Sequence, residues 1–251
     1  MLSSVQRALA LLEELKLYKE GVGVTELANR LEVAKSTTHR LLISLEEYGY
    51  VRKRGEGRYQ LGLKFLEMHQ SVLSQLDVVE LARPIMEKLC QDVGEIVHLV
   101  EQQGDHVIYL NKVEQQSSAL RVHSRIGSRA PMYCTGVGKL LLAHQDPARL
   151  DRYFSDVPLK AYTPQTLTEQ DVLLETFAAI RKEGYSLDDS EHEPDIRCVA
   201  APVFNHEQKV LYALSVTGPA SRMDSETIKS HTENVMQAAQ ELSNQLGATA
   251  H

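Results

Sequence analysis

Apolar residues recur at helical spacing up to Tyr48, stop at Gly49, and give way to a strand-like pattern from Tyr50 to Leu61. A helical stretch that ends on Gly and runs straight into a hairpin leaves few folds open, and what precedes it narrows them further. Ser3 to Tyr18 predicts an amphipathic helix opened by Ser, with Val5, Ala8, Leu9, Leu12 and Leu15 on its apolar face. After the break at Gly21-Val22-Gly23, Thr25 and Glu26 open a short second helix with Leu27, Ala28 and Leu31 facing inward. Glu32-Val33-Ala34 forms a turn, and a third helix follows with Ser36 as its expected cap and Leu41, Leu42, Leu45 and Tyr48 inside. Tyr50 to Leu61 then reads as two strands around Gly55-Glu56-Gly57. Helix, short helix, tight turn, helix and hairpin is the order of a winged helix-turn-helix, whose second paired helix enters the DNA major groove.

The side chains on that helix suit the task. Lys35, Ser36, Thr37, Thr38, His39 and Arg40 gather hydrogen-bond donors at its N-terminal end, with no acid among them. There they can reach base edges, and the helix dipole favours phosphate. Thr25, at the start of the preceding helix, is counted with them, and the hairpin adds Arg52, Lys53, Arg54 and Arg58 for backbone or minor-groove contact. Taken alone, such a segment reads more simply as a helix cap and a solvated basic surface. The order of elements favours the DNA reading.

Net charge at first argues the other way, being −7 over 251 residues. Its distribution removes the objection. Residues 1–76 carry 11 Lys and Arg against 9 Asp and Glu, and residues 77–251 carry 16 against 25. A slightly basic N-terminal unit on an acidic body is the asymmetry expected where one domain meets a polyanion and the other does not. No apolar run approaches the roughly 18 residues that span a bilayer, and the N-terminus lacks a signal-peptide pattern, so no membrane partner is expected. Cys90, Cys134 and Cys198 are too scattered for a disulfide framework or a paired metal knuckle, and the reducing cytoplasm is the expected compartment.

Residues 1–61 are thus expected to form the DNA-binding domain, 62–77 a linker helix, and 78–251 a larger second domain, which the family resemblance given below implies is effector-binding. The linker stripe of Phe65, Leu66, Met68, Val72, Leu73 and Leu76, with His69 in line, is too apolar for an isolated helix. A homodimer is therefore expected, reading a roughly palindromic operator, with a tetramer as a further option. Beyond it a helix is expected through Leu81, Ile85, Leu89 and Val93. Strands are expected at 96–101, 106–113, 119–123, 198–204 and 210–217, with helices near 137–144, 169–183 and 225–246. This mixture reads as an α+β domain with a mainly antiparallel sheet.

The stretch from Thr25 to Lys53, with its K-S-T-x-x-R-L-L recognition helix and a wing ending in Y-x-L, closely resembles the IclR family of bacterial transcription regulators. The resemblance continues in family order through residues 125–143 (RIGSRAPMYCTGVGKLLLA), 181–189 (RKEGYSLDD), 196–204 (IRCVAAPVF) and 212–223 (YALSVTGPASRM). It implies a C-terminal domain similar to GAF and PAS sensor domains that binds a small metabolite, usually a carboxylate. At the matching positions Gly127 and Ser128 offer backbone N–H groups in a tight loop, and Ser215 and Thr217 share one strand face with their hydroxyls. Cys198 and Ala200 share a face by the same rule, and Asp188 can accept from ligand hydroxyls. Met132, Ile196 and Leu120 are expected to supply apolar wall. Each of these residue types also has an ordinary structural use, as turn, core or cap. The effector expected is a hydroxylated carboxylate such as a sugar acid.

The implied activity is repression of a catabolic operon, with ligand-dependent activation, or action through a protein partner, as alternatives. An enzyme is not expected. Gly136-Val137-Gly138-Lys139 lacks the P-loop spacing, and no nucleophile elbow or HExxH helix appears. No cofactor is expected, and zinc held by Cys134 or a nearby His is the lesser option.

Overall fold

The computed structural model describes residues 3–75, 77–115 and 124–248. The strand expected at 119–123, Leu120 as cavity wall and Leu76 of the linker stripe lie outside these residues, as do the side chains of His69, Val72 and Leu73. The chain divides into two compact units, residues 1–76 and 77–251.

In the first unit, α1 (Ser4–Leu15) starts with a reciprocal capping box between Ser3 and Gln6. There follow β1 (Val22–Gly23), α2 (Val24–Arg30), α3 (Lys35–Glu47), β2 (Val51–Arg54), a 3-10 turn at Gly55–Gly57, β3 (Arg58–Leu61) and α4 (Lys64–Gln75). The small core joins Leu11 and Leu15 of α1 to Leu27, Leu42, Val51 and Tyr59. Val5 and Leu9, expected inside, are exposed, because Leu11 rather than Leu9 faces the core. Tyr48 is likewise exposed rather than inward. The hairpin is joined by β1, giving an antiparallel sheet in the order β1-β3-β2. Where β3 hands over to α4, a Cβ on Gly62 would lie 2.0 Å from the Gly49 carbonyl oxygen, so only glycine lets the wing close against the end of α3.

The second unit opens with α5 (Val78–Val93), capped by Asp77 and ended by left-handed Gly94. It continues through β4 (Ile96–Gln103), β5 (His106–Val113), β6 (Arg129–Pro131), α6 (Gly136–Ala143), α7 (Pro147–Asp156) and α8 (Gln170–Glu183). Next come β7 (Ser186–Asp189), β8 (Ile196–Phe204), β9 (Val210–Pro219) and α9 (Ser225–Gln245). All strand pairs are antiparallel, and the order is β6-β5-β4-β9-β8-β7. Alternation divides the side chains between two cores. Val97, Leu99, Val199, Leu214 and Val216 pack with α5 and α9. Val100, Ala200 and Ala213 pack on the other face with Leu140 of α6 and Phe177 of α8. Among the described residues no helix is long and apolar enough to cross a membrane.

Candidate functional site

Two candidate sites stand out among the described residues, one in each unit. The first is the start of α3. The chain reaches it through Glu32, which adopts a left-handed φ of 51°, with the Val33 N–H donating to the Ala28 carbonyl at 3.0 Å. Ala34, not Ser36, occupies the N-cap position, and its carbonyl accepts from the N–H groups of Thr37 and Thr38. Ser36 is therefore free of capping duty and exposed, as are Lys35, His39 and Arg40, with Thr37 half-buried and Thr25 exposed on α2. Thr38 does not belong with them. Its side chain is fully buried, its hydroxyl donating to the Ala34 carbonyl at 3.3 Å, because position 38 shares the inward face with Leu42.

The wing presents Arg52, Lys53 and Arg54 on β2, all exposed, with Arg58 opposite Arg54. Arg54 pairs with Glu20 at 2.7 Å. The Gln60 amide oxygen accepts from Arg52 Nε and Nη2 at 2.5 and 2.6 Å, and Lys53 Nζ lies 5.8 Å from the Tyr59 ring centre. These neighbours orient the basic groups outward without neutralising more than one of them.

The second place is a cleft at one end of the sheet in the second unit. Register builds it. Asp188, Cys198 and Thr217 stand opposite one another across β7, β8 and β9, and the next row places Ser186, Ala200, Ser215 and His98 together. Of the effector residues proposed from the sequence, Asp188, Cys198, Thr217 and Ile196 line the cleft, with His98, Tyr109, Ser124, Thr135, His192 and Glu193 beside them. Sequence reasoning missed those six. The readable signal was His98, a lone polar residue within the buried apolar run of β4.

His98 links two hydroxyls: its Nε2 is 2.8 Å from Ser124 Oγ, and its Nδ1 is 3.4 Å from Thr217 Oγ1. Burial, with Lys112 adding repulsion, pushes its pKa down to about 3, so the ring is neutral. Burial pushes the Cys198 thiol up to about 12, which makes it a neutral wall and no nucleophile. Asp188, only 5% exposed, is pushed up to about 7 by burial, against the opposing pull of the Glu191 N–H bond and the Lys139 charge. That N–H donates to Asp188 Oδ1 at 2.7 Å, and the Glu191 carboxylate is ion-paired with Lys139 of α6. The loop between β7 and β8 is pinned by Thr163, which donates to the Ser190 carbonyl at 2.7 Å, and Thr166, which donates to that of Glu191 at 2.6 Å. Helix α6 begins at the cleft: Thr135 caps it by accepting from the Gly138 N–H. A Cβ on Gly138 would lie 2.3 Å from the Met132 carbonyl oxygen, so glycine there permits the close packing that brings the helix start to the wall.

Four expected effector residues stand elsewhere. Gly127 and Ser128 form a turn whose donors are already engaged: Gly127 N–H to the Tyr109 carbonyl at 2.8 Å, and Ser128 N–H to that of Arg125 at 2.9 Å. They are not a carboxylate cradle in this conformation. Met132 is fully buried in the core beneath the cleft, and Ser215 lies one register row inward of Thr217. Among the described residues no group of three or more His, Cys, Asp or Glu is arranged to hold a metal ion.

A helix-turn-helix family model, the IclR helix-turn-helix domain, matches residues 4–55, and the bacterial transcriptional regulator IclR C-terminal domain matches residues 70–244. The chain belongs to the IclR family. Relatives include the HTH-type transcriptional regulator XynR of Escherichia coli, 34% identical over 100% of this chain and 99% of that one. Another is the transcriptional repressor IclR of the same organism, 34% identical over 95% of this chain and 88% of that one. Among solved structures, the Agobacterium tumefaciens repressor BlcR superposes with a TM-score of 0.84 at 26% identity over 98% of each chain. This IclR-family chain is accordingly a DNA-binding transcriptional regulator and not an enzyme.

Proposed function

We propose that this regulator represses a catabolic operon and that a small hydroxylated carboxylate in the cleft of the second unit controls its grip on DNA. The single observation that carries the effector half is the composition of the cleft wall. Neutral groups able to donate and accept (Ser124, His98, Thr217, Thr135) surround one buried acid, Asp188, at the start of a helix. The N-terminus of α6 favours the carboxylate end of a ligand, and Asp188 accepts from hydroxyl hydrogens at the other. The backbone of Gly127 and Ser128 takes no part. Repression is supported by relatives that are named repressors. No metal or cofactor enters this reading.

Binding changes DNA affinity only if the ligand prefers one of two arrangements of the protein. The test is a mobility-shift assay with the DNA upstream of the regulator's own gene, repeated with sugar acids, short keto acids and aromatic acids. Release of DNA by a sugar acid is expected. Release by aromatic acids alone would overturn the ligand class, and tighter DNA binding with a sugar acid would overturn release of the operator by ligand.

A further inference from the structure

Three charged groups lie buried together behind the cleft: the carboxyls of Asp188 and Glu191 and the ammonium of Lys139, none more than 5% exposed. Glu191 joins the other two, its backbone N–H bound to Asp188 Oδ1 and its Oε1 paired with Lys139 Nζ, while its Oε2 is buried without a hydrogen-bond partner. Two acids and one base in a low-dielectric pocket cannot all be charged without leaving one negative charge uncompensated. The other groups facing Asp188 do not supply the missing charge. His98 of β4 is neutral, Tyr109 of β5 and the thiols of Cys134 and Cys198 are held protonated by burial, and the imidazole of His192 lies 4.0 Å from the carboxylate of Glu193, so any charge on it has a counter-ion other than Asp188. The α6 side contributes only Lys139, already paired.

We propose that Asp188, Glu191 and Lys139 share one exchangeable proton at neutral pH, and that an acid entering the cleft draws that proton from solvent onto Asp188, so that effector binding is tied to pH. The inference rests on the carboxylate reading above. The proton goes to the Asp188 carboxyl, converting it from a repelling anion into a neutral acid whose carbonyl oxygen still accepts from ligand hydroxyls, and no other bond changes. A neutral Asp188 and an anionic ligand carry together the charge that the ionised Asp188 carried alone, which is why uptake accompanies entry.

The full chain and its Asp188→Asn and Glu191→Gln variants, each checked for native circular dichroism, are titrated potentiometrically between pH 5.5 and 8.5. Gluconate is then titrated calorimetrically into each, in buffers of different ionisation heat. The wild type is expected to release about one proton more than Asp188→Asn across that range. It is also expected to take up as much as one proton per gluconate, with affinity falling as much as tenfold per pH unit on the alkaline side. Asp188→Asn should bind without buffer dependence. Glu191→Gln, in which Asp188 faces an unshared Lys139, should keep Asp188 ionised throughout and shift the extra proton out of the range. Identical titration curves for wild type and Asp188→Asn would overturn the proposal. So would buffer-independent gluconate heats in the wild type. A one-proton difference with no gluconate heat would support the charged trio and count against the ligand class alone.

Discussion

Arg40 and Thr38 are two residues apart on α3, and their side chains meet opposite surroundings, one in solvent and one in the core. Arg40→Ala is expected to weaken operator binding by about 1–3 kcal/mol if the guanidinium reads a base. Equal loss on unrelated DNA would assign it to phosphate. Thr38→Val should leave operator preference unchanged while lowering stability by roughly 1 kcal/mol, the cost of the hydroxyl bond to Ala34. Denaturant titration beside a mobility shift separates the two effects. Asp188 makes a further prediction in pH. Its folded-state pKa of about 7 lies above the ordinary 3.8, so the folded protein binds this proton more tightly than the unfolded chain. The stability it contributes is therefore complete in acid, falls as pH rises from about 4 through about 7, and levels off beyond. Urea melts at pH 5 and pH 8 should show the wild type losing ground to Asp188→Asn at the higher pH, and parallel behaviour of the two proteins would refute it.

At the scale of elements, the wing should govern how binding responds to salt. Removing the cation that neutralises one phosphate lowers the slope of log affinity against log salt by about 0.9. The triple variant Arg52→Ala/Lys53→Ala/Arg54→Ala is expected to flatten that slope by up to three such steps, less if the pairing of Arg54 with Glu20 persists on DNA. A slope unchanged from wild type would remove the wing from the interface. The long elements of this fold were readable because their patterns had room to repeat: α5, β5, α8, β9 and α9 lie close to where the sequence puts them. The failures have physical causes. Helix α1 carries apolar residues over so much of its circumference that the pattern does not choose between Leu9 and Leu11. Strands β1, β6 and β7 are two to four residues long, too short to show a period. Helix α7 was missed although Asp146-Pro147 marks its start, with Asp146 accepting from the Arg149 N–H. In the cleft, strand alternation pointed to Cys198 and Thr217, and the family resemblance to Asp188. The turn at 125–128 was misjudged because nothing in Gly127-Ser128 reveals that its donors are engaged locally.

For the molecule as a whole, α4 exposes Leu66 and Met68, and Leu63 just before it is exposed as well. A second copy of the chain is the expected cover, since a dimer presents two recognition helices to a palindromic site. Sedimentation at micromolar concentration should give at least a dimer, and Leu66→Glu/Met68→Glu should give a smaller species with weakened operator binding. A monomeric wild type would contradict this.

In the sheet of the second unit, β4 pairs with β9, which is made more than a hundred residues later. During synthesis the second unit cannot close its central seam until β9 has been made, whereas the first unit needs only residues 1–76. Every newborn molecule thus passes through an interval in which its DNA reader can be folded before its sensor exists. Arrested nascent chains should acquire protease resistance in the first 76 residues well before any appears beyond residue 77, and simultaneous protection of both units would show that the reader waits for the sensor.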